Sequence, residues 1–246
     1  MIKELEDHQW FPALLRRFQA QYIGSLVVWL KLYEPLIPVM QEIIGENRPV
    51  LVQDLCSGSG LPAAYIRQHV RGIDKTILSD KYPDVSFVNT PQTAYLPGAA
   101  DVLMLLPQPS TLYTMYNSFH HFSNNEQRSL VQKMVQAGSC FCFVEILEPV
   151  FFTLIRILFV STILQVFSAP FVKPFSLARL FFTYIIPVNL LTVLYDGIIS
   201  VMKSKKAGQY RQLLTNISEG DYTITVNSYG SWKGRVIYIK GIPGQR

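Results

Sequence analysis

The segment "DLCSGSG", Asp54 to Gly60, lies between the apolar run "VLVQ" at 50–53 and "LPAAYIR" at 61–67. It reads as strand, tight turn and helix. Small residues from 56 to 60 let backbone N–H groups come close to a ligand, with a helix N-terminus behind them. If 50–53 is a first strand, the chain beyond it should alternate strand and helix, and it does. "KTILSD" (75–80) reads as a second strand ending at Asp80, "VSFVN" (85–89) as a third and "STLYTMYNSF" (110–119) as a fourth. "SNNEQRSLVQKMVQAG" (123–138) has the Ser/Asn start and Gly end of a capped helix. "SCFCFVEIL" (139–147) is a fifth strand, nearly continuous in apolar residues as a strand covered on both faces should be. "DYTITVNS" (221–228) and "GRVIYIKG" (234–241) read as a hairpin joined through "YGSWK". The expected class is α/β, a Rossmann-like, mostly parallel sheet with one antiparallel partner.

The composition is unusual for such a domain. Of 246 residues, 49% are apolar and only 16% charged, with a net charge of +5. The basic residues are scattered apart from "KSKK" (203–206), so nucleic acid is not an expected partner. Three cysteines without a CxxC spacing point away from a metal site or disulfide framework and towards a reducing cytoplasm. The start, "MIKELEDHQW", is polar and acidic and does not read as a secretory signal.

The apolar surplus is concentrated. Residues 10–44 place Phe11, Leu14, Leu15, Phe18, Tyr22, Leu26, Leu30 and Tyr33 at helical spacing, predicting a helical cap divided near Pro35. Between Glu148 and Lys173 the single charge is Arg156, and between Arg179 and Lys203 it is Asp196. Two apolar helices joined by "APFVKPF" (169–175) are expected there, as a lid or as a membrane hairpin. The uncharged runs, 157–172 and 180–195, fall short of the roughly 20 residues of a spanning helix unless Arg156 and Arg179 snorkel. "KSKK" would then be a cytoplasmic flank. The expected divisions are 1–47, 48–148, 149–219 and 220–246.

Two templates fit the glycine turn. Gly58-x-Gly60-x-x-Ala63 matches the dinucleotide fingerprint, and Asp54-x-Cys56-x-Gly58-x-Gly60 matches the loop of S-adenosylmethionine (SAM) enzymes, with Cys for the first Gly. A carboxylate at Asp54 would repel a pyrophosphate but suits the ammonium of SAM's methionine. Asp80, twenty residues after Gly60, suits ribose hydroxyls in either template.

With "DLCSGSG", Asp80, "ADV" (100–102) and "YNSFHHF" (116–122), the chain resembles the class I SAM-dependent methyltransferases over about 48–147 and 220–241. "WFPALLRRF" (10–18) and "LYDGIISVMK" (194–203) are similar to a bacterial subgroup with an apolar insertion before the last two strands. The resemblance implies a seven-stranded sheet in the order 3-2-1-4-5-7-6 and SAM across the carboxyl ends of strands one to four. It implies Asp54, Cys56, Gly58 and Gly60 around the methionine part, Asp80 at the ribose and Asp101 near the adenine. It also implies that Asn117, His120 and His121 lie beside the transferred methyl group.

On extended backbone the two histidines would point to opposite sides, so that one can act as general base near neutral pH while the other supports the core. Glu145, Tyr195 and Asp196 are candidate acceptor contacts; the alternative for Asp196 is a buried partner for Arg156 or Arg179. As lid or membrane hairpin alike, an insertion rich in Phe, Leu and Ile that lines the acceptor pocket implies a lipophilic small molecule or lipid as acceptor. The competing readings are a non-catalytic, membrane-attached cofactor-binding protein and an NAD(P)-dependent oxidoreductase.

Overall fold

The computed structural model describes residues 2–45, 50–217, 220–231 and 233–244. Strands β1 (Val50–Leu55), β2 (Ile73–Ser79), β3 (Thr93–Tyr95), β4 (Thr111–Tyr116), β5 (Cys140–Glu145), β6 (Thr223–Ser231) and β7 (Gly234–Ile242) form one sheet. Its order is β3-β2-β1-β4-β5-β7-β6, the order implied by the resemblance. Only β7 runs against its neighbours, pairing antiparallel with β5 and β6.

Alternation along the central strands builds a core on each face. Tyr113 and Met115 of β4, with Phe141 and Phe143 of β5, pack under α4 (Asn124–Gln136) and α9 (Ala207–Leu214). Leu112, Cys142 and Val144 face the other way, against α2 (Ile37–Ile44) and α3 (Leu61–His69). Each fully buried aliphatic or aromatic side chain contributes roughly 1.5–3 kcal/mol. Helix α4 starts at a capping box in which Ser123 Oγ accepts from the Glu126 N–H and Glu126 accepts from the Ser123 N–H.

Several expectations are corrected. "VSFVN" is not a strand: Val85 and Val88 are exposed, and the third strand is the three-residue Thr93–Tyr95. Strand β6 continues through Tyr229 and Gly230, so the hairpin turn is tighter than expected; Trp232 lies outside the described residues, as do the division at 47/48 and the chain's last two positions. The N-terminal cap breaks after α1 (Ala13–Trp29), at Lys31 with φ +51°, while Pro35 sits in the following 3-10 turn Glu34–Leu36. Helix α9, expected within the insertion, packs with the core through Tyr210 and Leu214.

The insertion is α5 (Phe151–Phe159), a π turn over Val160–Leu164, α6 (Gln165–Ser168), α7 (Leu177–Tyr184) and α8 (Val188–Lys203). It rests on α1, with Tyr22 and Leu26 against Val172 and Val193, and Tyr22 Oη donating to the Val160 carbonyl at 2.5 Å. Neither arginine snorkels. Arg179 is 1% exposed and donates to the carbonyls of Val172 and Pro174, and Arg156 donates to the carbonyl of Lys233.

The polarity of these helices is inverted. Thr153, Ser161 and Gln165 are buried on one side, as are Asn189, Thr192, Asp196 and Ser200 of α8, and Gln165 Nε2 donates to the Asn189 carbonyl at 3.5 Å. The outward side carries Phe152, Leu158, Phe159, Ile163, Phe167, Ile185 and Leu191, with Phe152 76% and Phe167 72% exposed. Among the described residues, one continuous helical run, Phe151–Phe171, is long and apolar enough to cross a membrane.

Candidate active site

At the carboxyl edge of β1, β2 and β4, roofed by α1, α8 and the N-terminal segment, lies a cavity of about 1040 Å³. The turn that forms its floor is built from the local hydrogen bonds of small residues. Ser57 Oγ donates to the Asp54 carbonyl at 2.9 Å and Ser79 Oγ to the same carbonyl at 2.8 Å, tying β1 to β2. Gly58 has φ +52° and lines the cavity; a Cβ there would project to 3.5 Å from Ala20 Cβ, into the gap between turn and roof. Gly60, at φ +70°, does not line it. A Cβ at Gly60 would fall 2.6 Å from Leu78 Cδ1, so this glycine permits close packing of α3 on β2 rather than approach of a ligand.

Cys56 also lines the cavity and adopts φ +53°, the left-handed conformation that glycine takes most easily. Burial, and then the carboxylates of Asp80 and Asp54, push its thiol well above the ordinary range, so it is held neutral. Asp80 borders the cavity. Its Oδ2 accepts from the Gly58 N–H at 2.8 Å and its Oδ1 from the Tyr82 N–H at 2.8 Å, which fixes the carboxylate beside the turn. Asp101 lies on the rim, accepting from the Leu103 N–H and paired with Lys81 at 3.7 Å.

Asp54 departs from its expected place. It is 2% exposed, outside the cavity lining, and its Oδ1 accepts from Thr114 Oγ1 at 2.7 Å. Burial raises its carboxyl to about 7 despite the hydrogen bonds of Thr114 and Ser57. It braces β1 against β4 instead of presenting a charge to an ammonium. Tyr195 is also displaced, lying on the outer surface of α8, 43% exposed.

The histidines sit on a 3-10 turn, Phe119–His121, not on extended backbone, so they stand side by side with ring centroids 4.7 Å apart. His120 is enclosed: Nδ1 is 2.6 Å from Glu145 Oε2, and the Glu145 Oε1 accepts from the His120 N–H. Glu145 thus holds His120 and does not reach the cavity. His120 Nε2 is buried with no hydrogen-bond partner. His121 lines the cavity, with Nδ1 3.0 Å from Asp7 Oδ1 and Nε2 3.3 Å from Glu4 Oε2. Burial alone would lower its basicity, but Glu4, Asp7 and Glu6 together raise it to about 10. These three acids favour the protonated ring, which weighs against the expected role of general base near neutral pH. Asn117 lines the wall at φ +54°, its N–H donating to the Val144 carbonyl at 2.6 Å.

Glu4, Glu6, Asp7 and Lys203 were not legible as site residues. Glu4 is 1% exposed and 3.0 Å from Lys203 Nζ, which also lies 3.5 Å from Asp7 Oδ2. Lys203 therefore points into this cluster, not into a flanking basic patch. Asp196 lines the cavity but pairs with neither arginine: its carboxylate accepts from the N–H groups of Leu5 (2.6 Å) and Glu6 (3.3 Å) and from Gln19 Nε2 (2.9 Å). The N-terminal segment is thereby strapped over the site. Three acids within four positions, in a chain so poor in charge, are the sequence signal that could have located it.

Sheet order, cavity and glycine turn together define the fold of the class I SAM-dependent methyltransferases. Among solved structures, the plantazolicin methyltransferase BpumL in complex with S-adenosylhomocysteine (SAH) superposes with a TM-score of 0.51 at 10% identity, covering 94% of this chain and 96% of that one. Human N-acetylserotonin methyltransferase in complex with SAM gives 0.46 at 15% identity, with coverage of 79% and 48%. LepI in complex with SAM gives 0.47 at 13% identity, with coverage of 81% and 44%. The chain spans about half the length of these last two, and the likeness at such identities concerns the fold. No family model matches the sequence, and no curated protein matches it.

Proposed function

We propose that this protein is a SAM-dependent methyltransferase acting on a lipophilic small molecule or lipid at the cytoplasmic face of a membrane. The observation that carries the cofactor assignment is Asp80, held by the Gly58 N–H at the wall of the cavity that both residues line. A carboxylate so fixed offers free lone pairs to a ribose diol, and a glycine in the lining lets a ligand come close to backbone. Asp101 on the rim suits the adenine side. Bound SAM supplies an electrophilic methyl group on a sulfonium. The chain's contribution is to hold that group and the acceptor in line and to exclude water, which accounts for large rate gains without a base.

The inverted helices favour the lipophilic acceptor. Their inward polar side forms a wall beside Asp196 and Ser200, while the outward aromatic and aliphatic side suits hydrocarbon. Three free cysteines suit a reducing compartment.

Calorimetry with SAH tests the assignment. Micromolar binding is expected, lost in Asp80→Ala and weakened in Gly58→Val, whose branched side chain would fill the gap below Ala20. Undiminished binding in Asp80→Ala would mean that the ribose lies elsewhere, and binding of NADH in place of SAH would favour the oxidoreductase.

A further inference from the structure

The imidazoles of His120 and His121 and the carboxylate of Glu4 bring one nitrogen or oxygen each to within 4.8 Å of one another. His121 Nε2 is 3.3 Å from Glu4 Oε2, and His120 Nε2 is 3.8 Å from Glu4 Oε1. In a tetrahedral site with bonds of roughly 2.0–2.1 Å, neighbouring ligand atoms lie about 3.3–3.4 Å apart. Both rings are also held as metal-binding histidines are held. Nδ1 of His120 faces Glu145 Oε2 at 2.6 Å and Nδ1 of His121 faces Asp7 Oδ1 at 3.0 Å, so each carboxylate holds its ring with Nε2 towards Glu4, where on His121 a cation would take the place of the proton.

His120 Nε2 supplies an independent reason. It is fully buried and has no hydrogen-bond partner, an unfavourable condition that a coordinated cation would remove. We propose that His120 Nε2, His121 Nε2 and the Glu4 carboxylate bind a first-row divalent cation of the zinc class, with the open coordination position facing the cavity. Two imidazoles and one carboxylate are a donor set for such ions, and three protein ligands leave room for an exchangeable fourth. Lys203 is compatible with this arrangement. It sits on Glu4 Oε1, leaving Oε2, the oxygen nearer His121, for the cation. Asp7 and Glu145, the carboxylates that hold the two rings, lie beside the added charge. The absence of a metal expected from the cysteines does not bear on a site that uses none of them.

On the methyltransferase reading, the open position suits an acceptor hydroxyl or thiol. Coordination releases its proton to solvent. The retained lone pair attacks the methyl carbon of the sulfonium donor, and the C–S bond breaks with its electrons left on sulfur as a neutral thioether.

The test uses the full chain, stripped with a chelator and titrated with Zn²⁺ against a chromophoric competitor, then with Co²⁺ while visible spectra are recorded. One equivalent of Zn²⁺ and the intense visible bands of low-coordinate Co²⁺ are expected. Glu4→Gln and His121→Gln should each weaken Zn²⁺ binding by at least ~100-fold, and Glu145→Gln by about 10–100-fold. His8→Gln and His69→Gln should leave it unchanged. Circular dichroism checks folding, and His121→Gln, at the cavity surface, decides if the buried variants fail to fold. Absence of saturable binding, survival of full affinity in His121→Gln, or loss of affinity in His8→Gln or His69→Gln overturns the proposal. SAH binding is measured on the same samples: metal bound without SAH leaves the site standing and removes the methyltransferase reading, and the reverse removes only the site.

Discussion

Asp54 carries a carboxylate into the interior of the sheet, where Thr114 satisfies part of it and, among the described residues, no cation shifts it. Burial lifts its carboxyl from 3.8 to about 7, so the folded protein takes up a proton there that the unfolded chain does not. The sign follows from linkage: stability falls as pH rises from about 4 to 7, and the cost of the buried anion is fully present above that window. Roughly 4 kcal/mol is the upper bound. Asp54→Asn keeps an acceptor for Thr114 and removes the ionisation. We expect it to raise the melting temperature at pH 8 and to leave it unchanged at pH 4. A gain of equal size at both pH values would show that it does not come from the ionisation of Asp54. The sequence led to the right turn but to the wrong partner for this acid, because strand pairing, which residue type does not encode, turned it towards β4.

At the scale of elements, the N-terminal segment depends on one residue of the insertion. Asp196 accepts the partly buried N–H groups of Leu5 and Glu6 and the buried Gln19 amide. Asp196→Ala leaves these donors without partners, at about 1–3 kcal/mol for each unsatisfied group. The expected outcome is local: faster hydrogen exchange and earlier proteolysis within residues 2–8, with the sheet's protection unchanged. Equal protection in variant and parent would mean that Arg16, which donates to the carbonyls of Glu6 and His8, holds the segment together with Lys203 and His121 without need of Asp196. The elements that the sequence revealed are those whose signals are local, such as the capping box of α4 and the alternation in β4 and β5. Those it concealed depend on distant partners. Strand β3 has three residues and exists because Thr76–Leu78 of β2 pair with it. Helix α9 buries only Tyr210 and Leu214, which the basic residues before it obscure. The histidine pair was read on the wrong backbone, and the acids that charge it lie more than a hundred positions away.

For the whole molecule, the decisive feature is that the insertion is polar inside and apolar outside. In water such an arrangement leaves Phe152, Phe167, Ile185 and Leu191 exposed with no compensating contact, a patch that soluble monomers rarely carry. The run Phe151–Phe171 could span a bilayer by length, yet its inner side packs on α1 and α8, which return to the sheet and its cavity. On the proposed reading, a position in the interface would satisfy both constraints, with the outward side in the acyl region and the cavity within reach of a lipophilic acceptor. We expect the protein to float with phosphatidylcholine vesicles in a density gradient. Replacing Phe152, Phe167 and Leu191 together by Ser should release it without loss of SAH binding, because none of the three lines the cavity. Replacing Thr153 and Gln165 by Leu instead should disturb folding, since their sites are enclosed. A parent protein that stays at the bottom of the gradient, soluble without detergent, would make the insertion a lid over the acceptor and leave its outer side to another partner.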